Sequence, residues 1–415
     1  MINAFYDAYR ILYKVYGEKS FIKQAITDTD IEEKNRAFTV KLCYGVLDKD
    51  GELSYCIKYI AKKTPKLPVR IILKTAMYAY KYLGKKPYAV SDSAVELVKK
   101  MGKGGMSGFV NAFLRKYFSS EIPLPDNLIE RLSVKYSFPL FAVEELAAYY
   151  GAERTERILA AENAATTLCF YNSDGEKYLT ELGADFVKTP FYNVFSLKNF
   201  VRNSDYDKGV YTFQALPSVA ICEAVERCDR LLDCCAAPGG KSVRLSFKCR
   251  EVVSWDIHPH RTELIKSYKT RMGRNNISAE TCDAKVYKPE LHCAFDAVLC
   301  DAPCSGLGVV NDNPDIKLGV TDESVSGLCA EQAAILGTVF DYVKVGGFLY
   351  YATCSLLPRE NSARIKEFLD THPQFRMCEA DSPLPHDLSD GALSFLPDIS
   401  GGLGFYVAKM QRIKE

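Results

Sequence analysis

Residues 231–242 read Leu231-Leu232-Asp233-Cys234-Cys235-Ala236-Ala237-Pro238-Gly239-Gly240-Lys241-Ser242. A short apolar run meets a proline and two glycines, and a helix-competent stretch follows. That order describes a strand that breaks into a tight turn and restarts as a helix. Gly239 and Gly240 carry no Cβ, so the backbone there can adopt positive φ and come close to a ligand, whose polar groups then meet amides at a helix start. The pattern is neither G-x-G-x-x-G nor the P-loop, so it does not indicate phosphate binding. Taken alone, it fits a nucleotide-type cradle and an ordinary strand-to-helix turn equally well.

The residues downstream separate the two readings. Leu231–Cys234, Val252–Trp255, Ala297–Cys300 and Phe348–Tyr351 are short apolar runs, and helical patterns lie at Arg261–Arg271, Leu328–Val343 and Asn361–Leu369. Alternation of this kind predicts a doubly wound, mostly parallel sheet, which binds ligands beyond the carboxyl ends of its strands. The residues closing the strands are therefore the candidates for chemistry. The first strand closes in the Cys235–Lys241 turn, the second in Asp256, a third in Asp283, the fourth in Asp301-Ala302-Pro303-Cys304 and the fifth in Thr353-Cys354-Ser355. Asp256 stands about 20 residues past the first strand, where a carboxylate can accept both hydroxyls of a ribose, although an Asp after a strand also serves as a turn or helix cap. Asp283 could reach an adenine amino group. Cys304 and Cys354 each close a strand, and Pro303 and Ser305-Gly306 set Cys304 into a loop, which is unusual for a cysteine that merely fills a core.

Upstream, residues 1–118 are helical in pattern, with Phe5, Tyr9, Leu12 and Tyr16 at spacings of three or four, and Gly51, Pro65, Pro68, Gly84 and Pro87 between periodic runs. This predicts an all-α bundle. Gly102-Lys103-Gly104-Gly105 reads as a mobile basic loop. Ser119–Asn127, with Pro123 and Pro125, reads as a linker. Helical pattern resumes over Ile129–Ala161, and strand-like runs at Thr167–Tyr171 and Asn193–Leu197 predict a small α+β unit. The boundaries expected from these shifts are 1–125 for the bundle, 126–205 for the linking helices and small subdomain, and 206–415 for the doubly wound domain.

A chain of 415 residues with 47% hydrophobic and 25% charged residues has the composition of a soluble multidomain protein. No apolar run approaches the roughly 18–20 residues that span a bilayer, and the first residues lack the basic-then-apolar order of a signal peptide, so a cytoplasmic protein is expected. Fifteen cysteines without a C-x-x-C pair suggest neither a disulfide framework nor a zinc site. His258-Pro259-His260 reads as the start of a helix, and no metal is expected. The balance of 53 Lys+Arg against 52 Asp+Glu hides a division: residues 51–118 hold 14 basic against 3 acidic residues, a net +11, while residues 119–415 are at −10. A whole segment with that excess suggests a polyanionic partner, because phosphate neutralisation with counterion release dominates nucleic-acid affinity.

Three of these motifs, Cys235-Ala236-Ala237-Pro238-Gly239-Gly240-Lys241, Asp301-Ala302-Pro303-Cys304-Ser305-Gly306 and Tyr351-Ala352-Thr353-Cys354-Ser355 with Pro358 and Glu360-Asn361, resemble those of the Sun family of RNA cytosine-5 methyltransferases. The helical region, through Lys41–Leu47, Tyr88-Ala89-Val90 and Gly108–Arg115, resembles the NusB-like RNA-binding domain of the bacterial member that acts on 16S ribosomal RNA. The resemblance implies a Rossmann-like class I methyltransferase domain behind an all-α NusB-like bundle. It further implies S-adenosyl-L-methionine as cofactor, held by Cys235, Ala236, Ala237, Pro238, Gly239, Gly240, Lys241, Asp256, Asp283 and Asp301, and RNA, above all 16S rRNA, as partner of a monomeric enzyme. By the same resemblance Cys354 is the nucleophile that adds to carbon 6 of cytosine, Cys304 assists release, and Asp301 contacts ring nitrogen 3. Covalent addition suits a base whose carbon 5 is a poor nucleophile, since it divides one hard step into two easier ones. The chain departs from the family at Gln214-Ala215, at Asn311-Asp312-Asn313 where basic residues are usual, and at Gly401–Tyr406 where an aspartate is expected. The same chemistry on transfer RNA, a non-catalytic RNA-binding or assembly factor, methylation of an exocyclic amine and a redox role for the two thiols are the alternatives. The exocyclic-amine chemistry calls for a different motif from Asp-Ala-Pro-Cys.

Overall fold

The computed structural model of the chain describes residues 1–162 and 165–415. They separate into two units, one of Met1–Leu159 with Val310–Thr321, the other of Ala160–Val309 with Asp322–Glu415.

The first unit is helical. Helices run over Ile2–Glu18, Ile22–Thr27, Glu33–Asp48, Asp50–Ile60, Leu67–Lys81, Pro87–Lys100 and Ser107–Ser119, followed by Leu128–Tyr136, Leu140–Tyr150 and Ala152–Ala160. Pro68 and Pro87 lie in the first turns of their helices, where a missing N–H costs nothing and the fixed φ is already helical. The Asn127 side chain accepts from the Ile129 and Glu130 amides and so starts the eighth helix. Phe5, Leu12, Leu42, Ile71, Leu97 and Val110 meet in one buried cluster, each worth roughly 1.5–3 kcal/mol of burial. The Gly104–Met106 stretch forms a single 3₁₀ turn leading into the next helix rather than an irregular loop. The 120–127 connection stays inside this unit, held where Tyr55 donates to the Pro123 carbonyl.

Residues 310–321, expected in the doubly wound domain, instead belong to the helical unit. The departure from a basic run at Asn311-Asp312-Asn313 is met here by partners: Asn313 accepts from Lys23 at 2.9 Å, and Asp315 accepts the Ile22 amide at 3.1 Å. Leu318 packs on the helical core. Lys317, its side chain 4% exposed, donates to the Asp48 carbonyl at 2.8 Å and to the Asp48 carboxylate at 3.1 Å.

The second unit holds two sheets. Strands β1 (Thr166–Cys169), β2 (Phe186–Lys188), β3 (Val194–Leu197) and β4 (Thr212–Phe213) form an antiparallel sheet in the order β2-β3-β1-β4. The larger sheet comprises β5 (Cys228–Asp233), β6 (Cys249–Asp256), β7 (Ile277–Thr281), β8 (Phe295–Asp301), β9 (Val343–Thr353), β10 (Phe375–Cys378), β11 (Asp387–Ser389), β12 (Ala392–Phe395) and β13 (Phe405–Arg412). Its order is β11-β12-β13-β9-β8-β5-β6-β7, with β10 paired to β13. The run β9-β8-β5-β6-β7 is parallel and the C-terminal strands are antiparallel, so the sheet is more mixed than the alternation alone predicts. Leu231 and Val252 enter one core while their neighbours Leu232 and Val253 enter another. The strands are thus covered on both faces, which is why they read as unbroken apolar runs. Val343, counted with a helix in the sequence pattern, opens β9.

The chain runs from β5 outward to β7, then returns to place β8 on the other side of β5. The reversal point lies between β5 and β8, where a doubly wound sheet opens its ligand crevice.

Replacing Lys317 by alanine removes a buried ammonium from two acceptors. Because Asp48 is 41% exposed and can rehydrate, the expected loss is about 1–3 kcal/mol, read from urea unfolding of the full chain. Amides of residues 310–321 should exchange hydrogen faster in the variant, and unchanged exchange would contradict an anchoring role.

Candidate active site at the strand ends

The crevice at the carboxyl ends of β5, β8 and β9 gathers residues from four separate stretches of chain. Asp233 closes β5, Asp301 closes β8, and Thr353 closes β9. Because β8 and β9 are parallel neighbours, with Asp301 beside Ala352, the loops that follow them emerge side by side. Cys304 and Cys354 therefore meet, their sulfurs 3.4 Å apart, and the Cys354 amide points at the Cys304 sulfur at 3.3 Å. The contact with Cys354 and burial together hold the Cys304 thiol well above the ordinary range, so Cys304 stays protonated at neutral pH.

Glu360 holds these two loops together. It is fully buried, yet its carboxylate accepts the Ser305 amide at 2.8 Å, the Ser305 hydroxyl at 2.5 Å, the Ser355 hydroxyl, and the Gln332 amide at 3.1 Å. Ser305 and Ser355 are the residues immediately after the two cysteines. Gln332 also donates to the Pro303 carbonyl at 2.9 Å, and Asn361 binds Thr353 and Ser355 on either side of Cys354. Gly308 completes the arrangement: its amide donates to the Cys354 carbonyl at 2.8 Å, its carbonyl accepts from Gly404 at 2.7 Å, and a Cβ there would strike both backbones. The 401–406 stretch, which lacks the family's aspartate, thus contributes backbone to the cysteine loops.

On the β5 side, Lys241 donates to Asp301 at 2.6 Å. Burial opposes the lysine's charge, but Asp301 outweighs it, so the ammonium is held more firmly than usual and also faces the Cys354 sulfur electrostatically. Gly239 has φ +107°, with the Ile265 backbone 3.3 Å from where a Cβ would stand, so the turn requires glycine. Asp256 closes β6, where it accepts the His258 amide at 3.0 Å and lies 3.3 Å from Arg261. Each of its oxygens keeps a second lone pair. His258 and Pro259 start the helix Pro259–Arg271. Asp283 follows β7 by two residues and accepts the Lys285 amide at 3.0 Å. Arg261 donates to the Ala237 carbonyl at 3.1 Å and thereby ties the turn to the end of β6.

Asp233 is a further residue of the site, signalled in the sequence by its place at the end of an apolar strand just before the turn. It is fully buried, accepts Ser242 at 2.6 Å, and Ser242 in turn accepts Ser254 at 2.9 Å. Its other oxygen has no partner among the described residues. Burial pushes its pKa up to about 7, with the Ser242 hydrogen bond opposing and Asp301 adding to the rise.

Two outcomes follow. A carboxyl whose pKa is raised on folding stabilises fully below its unfolded value and loses that contribution as pH rises through the folded one. Unfolding stability should therefore fall between about pH 4 and pH 7, and Asp233→Asn should flatten that slope in a pH series of thermal melts. Glu360→Ala strands Ser305, Ser355 and Gln332 in a dry site, and about 2–4 kcal/mol should be lost in urea titration. A loss below 1 kcal/mol in that titration would show the network to be dispensable.

Comparisons with known proteins identify the family. The family described as 16S rRNA methyltransferase RsmB/F matches residues 220–411, and the NusB family matches residues 6–119. The probable ribosomal RNA small subunit methyltransferase B of Bacillus subtilis is 30% identical over 421 residues, covering 94% of this chain and 94% of its own. The crystal structure of PH0851 superposes with a TM-score of 0.83 at 23% identity, covering 99% of this chain and 98% of that one. The structure of NSun6 from Pyrococcus horikoshii with SFG gives 0.58 at 18% identity, covering 70% and 99%. With a helical NusB-family region ahead of a doubly wound domain whose β8 and β9 end in paired cysteines, this chain belongs to the 16S rRNA methyltransferase RsmB/F family.

Proposed function

We propose that this chain methylates carbon 5 of a cytosine in 16S ribosomal RNA, using S-adenosylmethionine and a covalent bond between Cys354 and carbon 6 of the base. The observation that carries the reading is the approach of the two cysteine sulfurs to 3.4 Å at the ends of adjacent strands, beside the Lys241–Asp301 pair. The names of the curated relatives support the RNA class, and the ligand of the NSun6 structure supports the cofactor class.

The residues at the crevice fit that cofactor. The Cys235–Lys241 turn is free of side chain at Gly239, Asp256 keeps acceptor positions suited to ribose hydroxyls, Asp283 follows β7 and Asp301 closes β8. S-adenosylmethionine held there would supply a methyl group on a sulfonium. The remaining work belongs to side chains. The Cys354 thiolate adds to carbon 6, forming a C–S bond and moving electron density to carbon 5, while Asp301 faces ring nitrogen 3. After carbon 5 has taken the methyl group, its proton leaves and the C–H electrons restore the 5,6 double bond, expelling the Cys354 sulfur. Cys304, kept as a neutral thiol, donates a proton to that departing sulfur, and the Cys304 thiolate so formed takes the proton that leaves carbon 5. Lys241 lies close enough to Cys354 to interact with it electrostatically, in a chain with no histidine beside either cysteine.

Cys354→Ala should reduce 5-methylcytosine to background in bisulfite mapping of ribosomal RNA. Cys304→Ala should instead trap a protein–RNA adduct that survives denaturing electrophoresis. Methylation that persists without Cys354 would refute the covalent route, and an adduct that forms on Cys304 would reverse the two roles.

A further inference from the structure

The helical unit contains a cavity of 580 Å³ lined in part by Glu52, Tyr80, Lys81, Tyr82, Tyr117 and Phe118. That volume lies within the usual range of small-ligand sites. Its walls come from two helix ends: Tyr80 to Tyr82 at the end of Leu67–Lys81, and Tyr117 with Phe118 at the end of Ser107–Ser119. Tyr80 and Phe118 lie with ring centroids 4.4 Å apart, and Tyr117 meets Tyr80 edge-on at 6.2 Å. Glu52 is only 8% exposed, and its carboxylate accepts Lys81 and the Tyr82 hydroxyl.

Tyr117 is 7% exposed, yet its hydroxyl has no hydrogen-bond partner among the described residues. The hydroxyl oxygen itself is open to solvent through the cavity, so it is free to meet a ligand there. Burial, together with Cys56 and Glu52 nearby, keeps the phenol neutral and able to donate. Tyr80 and Phe118 are inclined at 50°, so one ring face at a time, edged by a phenol and a carboxylate, is offered to a planar heterocycle carrying both an acceptor and an exocyclic amine. A phosphate is disfavoured by Glu52, and an aliphatic ammonium is already supplied by Lys81. The 51–118 segment, at +11, draws in the polyanion that carries such heterocycles. Lys81, its side chain 47% exposed at the rim, is placed for a flanking phosphate.

We propose that this cavity receives one unpaired nucleobase of the RNA, stacked against the Tyr80 ring with Phe118 inclined beside it, and with the Tyr117 hydroxyl and Glu52 meeting its edge. The inference rests on the RNA-binding reading above and adds a contact in the helical unit, apart from the cysteine crevice. Base stacking on aromatic side chains accounts for a large share of single-strand affinity and tolerates any base.

The test uses the full-length chain and a single-stranded RNA oligonucleotide carrying 2-aminopurine. Binding to the wild-type chain should quench the probe. Tyr80→Ala should weaken binding on the order of tenfold and abolish the quench, and Tyr117→Phe should weaken it roughly fivefold. The slope of affinity against salt should stay the same in both, because no phosphate contact is removed. If Tyr80→Ala melts early, Tyr117→Phe, which deletes one oxygen, decides the matter. Folded variants that bind and quench like the wild type would overturn the cavity while leaving the RNA reading intact. A wild-type chain that binds a basic peptide but no RNA would overturn both.

Discussion

The buried carboxylate of Glu360 is the constraint on which the cysteine crevice depends. A fully enclosed carboxylate is tolerable only when hydrogen bonds replace its water, and here the donors come from the residues directly after each cysteine. Glu360 cannot be buried unless the two loops close on it. Parallel pairing of β8 and β9 brings the thiols into the same neighbourhood, and the carboxylate fixes their separation.

Charge is divided to match. The helical segment carries the positive excess, while at the crevice of the methyltransferase unit Lys241 is matched to Asp301 and Arg261 to Asp256. Attraction for a polyanion is thereby separated from the chemistry, which needs a local field rather than a basic surface. The acidic and amide residues at 311–315, which look out of place beside an RNA path, serve as partners for Ile22 and Lys23 of the helical unit.

Much of this was legible in the chain. The strands whose ends bear the cysteines announced themselves as apolar runs closed by Asp-Ala-Pro-Cys and Thr-Cys-Ser, because strands covered on both faces admit few polar residues. Pro68 and Pro87, which separate periodic runs in the sequence, turn out to lie inside the first turns of the helices that follow. Strands β10 to β12 are only three or four residues long and carry little periodicity, whereas β13, eight residues long and inside the sheet, follows a glycine-rich stretch that the sequence pattern does not mark as a strand start. Asp233 and Glu360 were harder, since a carboxyl's role depends on burial and on donors far away in sequence. The membership of residues 310–321 in the helical unit was invisible because it rests on Lys317 meeting Asp48 across 269 residues, and no local pattern reports such a pairing.

That excursion has a consequence for how the protein is divided and made. The chain leaves the methyltransferase unit directly after the Cys304 loop, contributes Leu318 and Lys317 to the helical unit, and returns at Asp322. A fragment ending near residue 159 would lack part of its own interior, and a fragment beginning there would carry a docking segment with nothing to dock on. During synthesis the helical unit acquires its last piece only after β8 has left the ribosome, so its completion waits on half of the domain that follows it.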